Sequence, residues 1–192
     1  GHFDQTAIEH YRNEIELLLM NGIKPLVTLH HFSNPNWLEQ ADGWANPQIV
    51  RYFTEYTRYV VNQLGDLVSD WVTINEPNVY LVCGYLQGIW PPGKTDFLLL
   101  FKILRSMIEA HISSYQEIHK IRYERDFKGD TLVGVAFHLL LFEAEGGLLK
   151  NKLPTRLCRY LFQDLFLDGF ASGKMRFPLG FGGYPFGMGK YL

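Results

Sequence analysis

The chain has 192 residues, with 18 Lys and Arg against 20 Asp and Glu and a formal net charge of −2. No basic excess is available to hold a phosphate backbone, so nucleic acid is not an expected partner. Hydrophobic residues at 47% and charged residues at 20% exclude intrinsic disorder.

Asp4 reads as the N-cap of a first helix whose apolar positions are Ile8, Tyr11, Ile15, Leu18 and Leu19, ended by Asn21 and Gly22. Residues 23–31 follow as a short apolar strand, suited to a parallel sheet covered on both faces. Asn46, with Pro47 behind it, predicts the start of a second helix striped by Tyr52, Tyr56, Tyr59, Val60 and Leu64 and stopped by Gly65. A second strand, DWVTIN (Asp70–Asn75), is cut by Pro77. Residues 78–95 read as a loop rich in Gly, Pro and aromatics. Asp96 caps a long helix to about Tyr123, and residues 132–141 form a third strand. The stretch EAEGGLLKNKLP reads as loop, residues 155–170 as helix, and the Gly-rich tail from Pro178 as loop.

Strands alternating with helices predict parallel βα units in a single domain over residues 1–192. No strand ends in a Gly-rich phosphate turn. The strand ends read HHFSNP, NEPN and LLFEAE, which place His, Asn and Glu where a (β/α)8 barrel carries its chemistry. The fold class is therefore α/β, a partial TIM barrel, because three clear strands fall short of eight. The apolar runs 98–101 and 132–142 are too short to span a bilayer, which takes roughly 18 residues, so no membrane is expected as partner. The N-terminal GHFDQ shows no signal peptide. Cys83 and Cys158 match no metal spacing and read as two buried free thiols of a reducing, cytoplasmic setting. An initial Gly rather than Met points to a processed chain or a piece of one.

Three constellations carry chemistry. In Thr73-Ile74-Asn75-Glu76-Pro77, a buried strand delivers a carboxylate to its mouth, and Pro77 is expected to keep Glu76 extended. An apolar strand end raises a carboxyl pKa and suits a general acid; the competing reading is a solvated turn. Next, His30 and His31 point to opposite sides of their strand and so do not chelate one metal together. Either one faces substrate or both are core residues. Last, GYLQGIWPPG, with Trp90, offers stiff aromatic surface to a sugar face, or packs as a structural loop.

YRNEIELLLMNGIKPLVTLHHFSNP, then WVTINEPNVY and GYLQGIWPPG, resemble glycoside hydrolase family 1, the β-glucosidase family, and the likeness runs from about Phe3 to Lys174. The resemblance implies a retaining glycosidase on a TIM barrel, acting on a β-glycoside or oligosaccharide, with no metal or organic cofactor. It implies Glu76 as general acid/base, Asn75 on the sugar 2-hydroxyl, His31 on the glycone, and Phe32 and Trp90 as substrate-binding aromatics. Trp44 also matches a family aromatic and reads as packing. Two positions depart from the family: Phe32 stands where Trp is usual, and His138 where Asn is frequent. Both departures are expected to loosen glycone binding.

A retaining mechanism needs a second carboxylate about 5–5.5 Å from the first. In the family it lies in Thr-Glu-Asn-Gly, and no such tetrapeptide occurs here. The chain resembles barrel strands three to five. By itself it is expected to be inactive, and to self-associate or pair with a chain carrying the other strands. The rival readings are a non-catalytic remnant or carbohydrate-binding module, one part of a split enzyme, and an inverting route through Glu143 or Glu145.

Overall fold

Asp4 opens the first helix by accepting at Oδ1 from the backbone N–H of Thr6 at 2.9 Å and Ala7 at 3.2 Å, which satisfies two orphan donors. The computed structural model describes residues 2–147, 149–175 and 184–185. In chain order come α1 (Gln5–Met20), β1 (Leu26–His30), α2 (Asn36–Gln40), a 3-10 turn (Gly43–Ala45), α3 (Ile49–Leu64) and β2 (Asp70–Asn75). Then follow α4 (Pro77–Leu81), a π turn (Val82–Leu86), α5 (Phe97–Glu124), β3 (Leu132–Ala136), a 3-10 turn (Glu145–Gly147) and α6 (Leu149–Arg159). A second π turn (Tyr160–Asp164), α7 (Leu165–Ser172), β4 (Lys174–Met175) and β5 (Tyr184–Pro185) complete the order. The chain divides into two compact units, Gly1–Asn75 with Ser113–Val135, and Glu76–Ile112 with Ala136–Leu192.

In the first unit β1 and β2 pair in parallel, Leu26 opposite Asp70 and His30 opposite Ile74. The sheet order is β1-β2-β3. Leu132 N–H donates to Ser69 O at 3.0 Å and Thr73 Oγ1 to Gly134 O at 3.2 Å. These contacts advance together along both strands, so this pair is parallel as well. α3 buries Ile49, Phe53, Thr57, Val60, Val61 and Leu64, a stripe at helical spacing. The tyrosines expected in that stripe flank it instead. Tyr59 stacks on Phe3 at 3.9 Å and its hydroxyl donates to Gln5 Oε1, so the ring packs while its polar end stays wet. Thr57 is fully buried and satisfied by Phe53 O and Ser114 Oγ, both at 2.9 Å. Gly65 ends α3 where an added Cβ would stand 2.4 Å from Val61 O and 2.9 Å from the Phe127 ring. Arg122 is buried behind this turn. Its guanidinium donates to the carbonyls of Gly65 and Val68, to Lys128 O at 2.5 Å and to Thr131 Oγ1 at 2.9 Å.

α3 begins two residues later than a cap at Asn46 predicts. Asn46 closes the 3-10 turn and its Oδ1 accepts from Gln48 N–H at 2.7 Å, a side-chain turn that precedes the helix.

In the second unit α5 is capped by Asp96, whose Oδ1 accepts from Leu99 N–H at 3.0 Å. Its buried positions Leu100, Ile103, Leu104, Met107, Ile108 and His111 repeat every three or four residues. Phe170 of α7 meets His111 and Phe137, each at 5.4 Å between ring centres. Three expectations need correction here. Residues 77–86 are helical rather than loop, because Pro77 at the first position fits a helix start. The third strand stops at Ala136, since the backbone of His138 turns to pair with Asn78 instead of a strand. The helix expected from 155 starts at Leu149, runs through Pro154 and is interrupted by the π turn. The tail expected as loop from Pro178 lies outside the described residues, except for β5, which pairs antiparallel with β4.

Cys83 and Cys158 are both free thiols, but Cys83 is half-buried and Cys158 is exposed on α6. Among the described residues no helix is long and apolar enough to cross a membrane.

Candidate active site

The two histidines at the end of β1 take different environments because successive strand side chains alternate. His30 is buried and His31 exposed. His30 Nε2 faces Asn34 Oδ1 at 3.2 Å and Trp44 Nε1 at 3.3 Å; Asn34 Nδ2 donates to Glu39 Oε1 at 2.5 Å. Glu39 fixes the Asn34 amide with its oxygen toward the ring, and the Trp44 indole N–H donates to the same Nε2 of His30. Trp44, 1% exposed, packs edge-on against His30 and tilted against Phe53, so it is a core residue. Phe32 takes the left-handed backbone, φ +66°, and its half-buried ring meets His31 edge-to-face at 5.0 Å. A left-handed aromatic costs about 1–2 kcal/mol, which the turn bond from Ser33 N–H to His31 O at 2.8 Å helps to offset.

Burial pushes His30 down to about 4, against the lift from Asn34, and burial likewise pushes His111 down to about 4. Both therefore fold neutral, while in the unfolded chain a histidine takes its proton near 6.5. Below that value the unfolded state binds more protons, so stability is lost as pH falls from about 6.5 toward about 4. Each histidine contributes up to roughly 3 kcal/mol to this loss. The urea midpoint should drop steeply between pH 7 and pH 5, and His111→Asn should shallow that slope; a flat profile would contradict it.

Asn75 ends β2, half-buried. Glu76 follows with φ +42° and ψ +58°. Pro77 does keep it out of the right-handed helix, but the backbone is left-handed and not extended as expected. The reason is the abrupt passage from strand to helix. Glu76 N–H donates to Ala136 O at 2.7 Å, and Glu76 O accepts from Tyr80 N–H at 3.0 Å as α4 begins. A non-glycine residue held in this region is the kind of local strain that collects at functional sites.

The Glu76 side chain, 30% exposed, places Oε1 3.4 Å from His138 Nδ1. Asn78, fully buried, donates from Nδ2 to His138 O at 2.7 Å and to Phe162 O at 3.2 Å. Sequence reasoning flagged His138 only as a departure and missed its pairing with Glu76; the signal was the polar residue two beyond the end of β3. Glu143 and Glu145 are both exposed, and the side chain beside the Glu76 carboxylate is the His138 imidazole.

Trp90 is 36% exposed on a loop tied down by Lys94 N–H to Gly84 O at 3.0 Å and Asp96 N–H to Tyr85 O at 2.9 Å. A Cβ on Gly84 would stand 3.1 Å from Pro91 O, so the loop packs closely against this glycine. His31, Phe32 and Asn75 thus belong to the first unit, and Glu76, Trp90 and His138 to the second.

Parallel strands alternating with helices, with polar side chains at the strands' C-terminal ends, define the chain as part of a (β/α)8 barrel. The profile of Glycosyl hydrolase family 1 matches residues 1–153. The chain belongs to this family. It is 33% identical to beta-glucosidase A of Thermotoga maritima over 177 residues, 90% of this chain and 38% of the relative. The structure of the Thermotoga maritima beta-glucosidase in complex with deoxynojirimycin superposes with a TM-score of 0.80 at 30% identity, over 89% of this chain and 38% of that one. A beta-glycosidase from Pyrococcus horikoshii gives 0.84 at 30% identity, over 96% of this chain and 41% of that one. The chain thus spans about two fifths of the length of these relatives.

Proposed function

We propose that this chain supplies the acid/base side of a retaining β-glucosidase-like hydrolase, with Glu76 as general acid/base. Glu76 protonates the glycosidic oxygen as the bond to the sugar breaks, then takes a proton from the water that releases the sugar. By the family resemblance Asn75 holds the 2-hydroxyl, His31 and Phe32 the glycone, and Trp90 an apolar sugar face. The observation that carries the reading is Glu76 itself: a carboxylate at the mouth of a parallel strand, locked in a left-handed backbone by Ala136 and α4.

The nucleophile is supplied from outside these 192 residues, which hold no Thr-Glu-Asn-Gly. The isolated chain is therefore inactive. Replacing the aligned segment of the Thermotoga maritima relative by this chain gives a hybrid barrel that tests the assignment. Hydrolysis of a β-glucoside by the hybrid, abolished by Glu76→Gln, is expected; a hybrid that folds, binds deoxynojirimycin and does not turn over would refute it.

Self-association of the isolated chain is part of the same proposal. Met20 is 83% exposed, Leu26 62%, Leu17 61% and Ile23 53%, a run of apolar surface at and before β1 that water does not favour. Sedimentation velocity should give species larger than 22.3 kDa; a single monomeric boundary across concentration would contradict it. A cytoplasmic location suits the two free thiols.

A further inference from the structure

We propose that His138 is a positioning residue for Glu76: its imidazole, protonated on Nδ1, donates to Oε1 and sets the direction in which the carboxylate points. The inference rests on the reading of Glu76 as acid/base.

Three rungs join the segment 76–78 to the segment 136–138. Glu76 N–H donates to Ala136 O at 2.7 Å. Glu76 Oε1 faces His138 Nδ1 at 3.4 Å. Asn78 Nδ2 donates to His138 O at 2.7 Å. The outer two are short backbone-anchored bonds, and the side-chain pair lies between them. The Phe162 ring meets the imidazole at 90° and 6.1 Å, and Phe162 O takes the second proton of the Asn78 amide. The ring is thus held from its backbone and from its edge, with one nitrogen turned to the carboxylate. At 3.4 Å the pair is a few tenths of an ångström beyond an ideal hydrogen bond, a distance typical of catalytic contacts before substrate tightens them.

Other charges nearby are engaged elsewhere or exposed. On the π turn packed beside the ring, Asp164 is paired to Arg159 at 2.9 Å, and burial pushes the Tyr160 hydroxyl up. Glu143 and Glu145 on the following loop are exposed, and His111 on α5 is buried and neutral.

An imidazole differs from the amide frequent at this position in having a choice of tautomer. Free neutral imidazole favours the proton on Nε2, and a partner facing Nδ1 reverses that choice. The bond from Nδ1–H holds Oε1 in place and leaves Oε2 as the oxygen that exchanges the proton.

The test is long-range ¹⁵N correlation of the imidazoles in the 192-residue chain at about pH 9, where an imidazole is neutral. His138 is assigned by the signal lost in His138→Gln. The expected pattern is a protonated Nδ1 and a bare Nε2, reverting toward protonated Nε2 in both Glu76→Ala and Glu76→Asp. Unchanged His30 signals report that each variant is folded. A protonated Nε2 in the unsubstituted chain, or a protonated Nδ1 that survives either folded variant, overturns the proposal. This readout needs no turnover, so its failure leaves the acid/base reading standing, and failure of the hybrid barrel to hydrolyse leaves the tautomer result standing.

Discussion

In the hybrid barrel, Glu76→Gln is expected to lower kcat/KM for an alkyl β-glucoside about 10³-fold, or about 4 kcal/mol, and to lower it far less for a nitrophenyl β-glucoside. Glutamine keeps the side-chain length, and the backbone bond from residue 76 to Ala136 O does not depend on the carboxyl. What it removes is the proton. An alkoxide is a poor leaving group and needs that proton as the glycosidic bond breaks. A nitrophenolate leaves without it. kcat/KM reports the first irreversible step, in which the leaving group departs, so the two substrates separate there. The second step is different. Water must lose a proton to attack the glycosyl-enzyme, and it does so slowly without a base whatever the leaving group was. The aryl substrate should therefore show a burst of nitrophenol followed by slow steady turnover, and azide, which attacks without losing a proton, should restore the steady rate. Equal losses on the two substrates would remove Glu76 from the acid/base role.

The barrel class was legible because its signal is local and repeated. Asp4 and Asp96 cap helices through their own side chains, and the apolar run DWVTIN coincides with β2. The carboxylate at the end of that strand was legible for the same reason. What the sequence hid was set by contacts distant along the chain. His138 looks like a stray polar residue after a strand until the rungs from Glu76 and Asn78, some 60 positions earlier, are seen. The π turns at Val82–Leu86 and Tyr160–Asp164 carry no residue signature, since one extra backbone position in a helix changes no side-chain preference. The phase of the α3 stripe was misread because tyrosine counts as apolar in a pattern yet holds its hydroxyl at the surface. Arg122 was hidden most completely. It stands in KIRYER, a run that reads as a solvated helix end.

Replacing Arg122 by Met is expected to destabilise the chain by about 3–5 kcal/mol, the loss that follows when several buried carbonyls lose their shared donor. The side chain is 2% exposed, and burial lowers its pKa, with partial compensation from Asp70. No carboxylate hydrogen-bonds the guanidinium among the described residues. Its charge is met by the carbonyls of Gly65, Val68 and Lys128 and by the Thr131 hydroxyl, with Gly129 O further out at 3.3 Å. Those carbonyls belong to the turn after α3 and the turn before β3, so one planar fork fastens both connections that lead into the sheet. Methionine fills much the same volume and leaves the carbonyls without donors, each costing about 1–3 kcal/mol if it stays dry. Lysine restores the charge on a single atom and cannot reach two turns at once, so Arg122→Lys should recover only part of the loss. The contrast is Arg58, paired with Glu117 at 2.9 Å but 51% exposed; Arg58→Met should cost less than about 1 kcal/mol, since water screens the pair. Urea unfolding of the three variants beside the unsubstituted chain reads the difference. A loss at Arg122 no greater than at Arg58 would mean that the two turns hold without the guanidinium, and that the close fit of Gly65 on Phe127 is the stronger fastening.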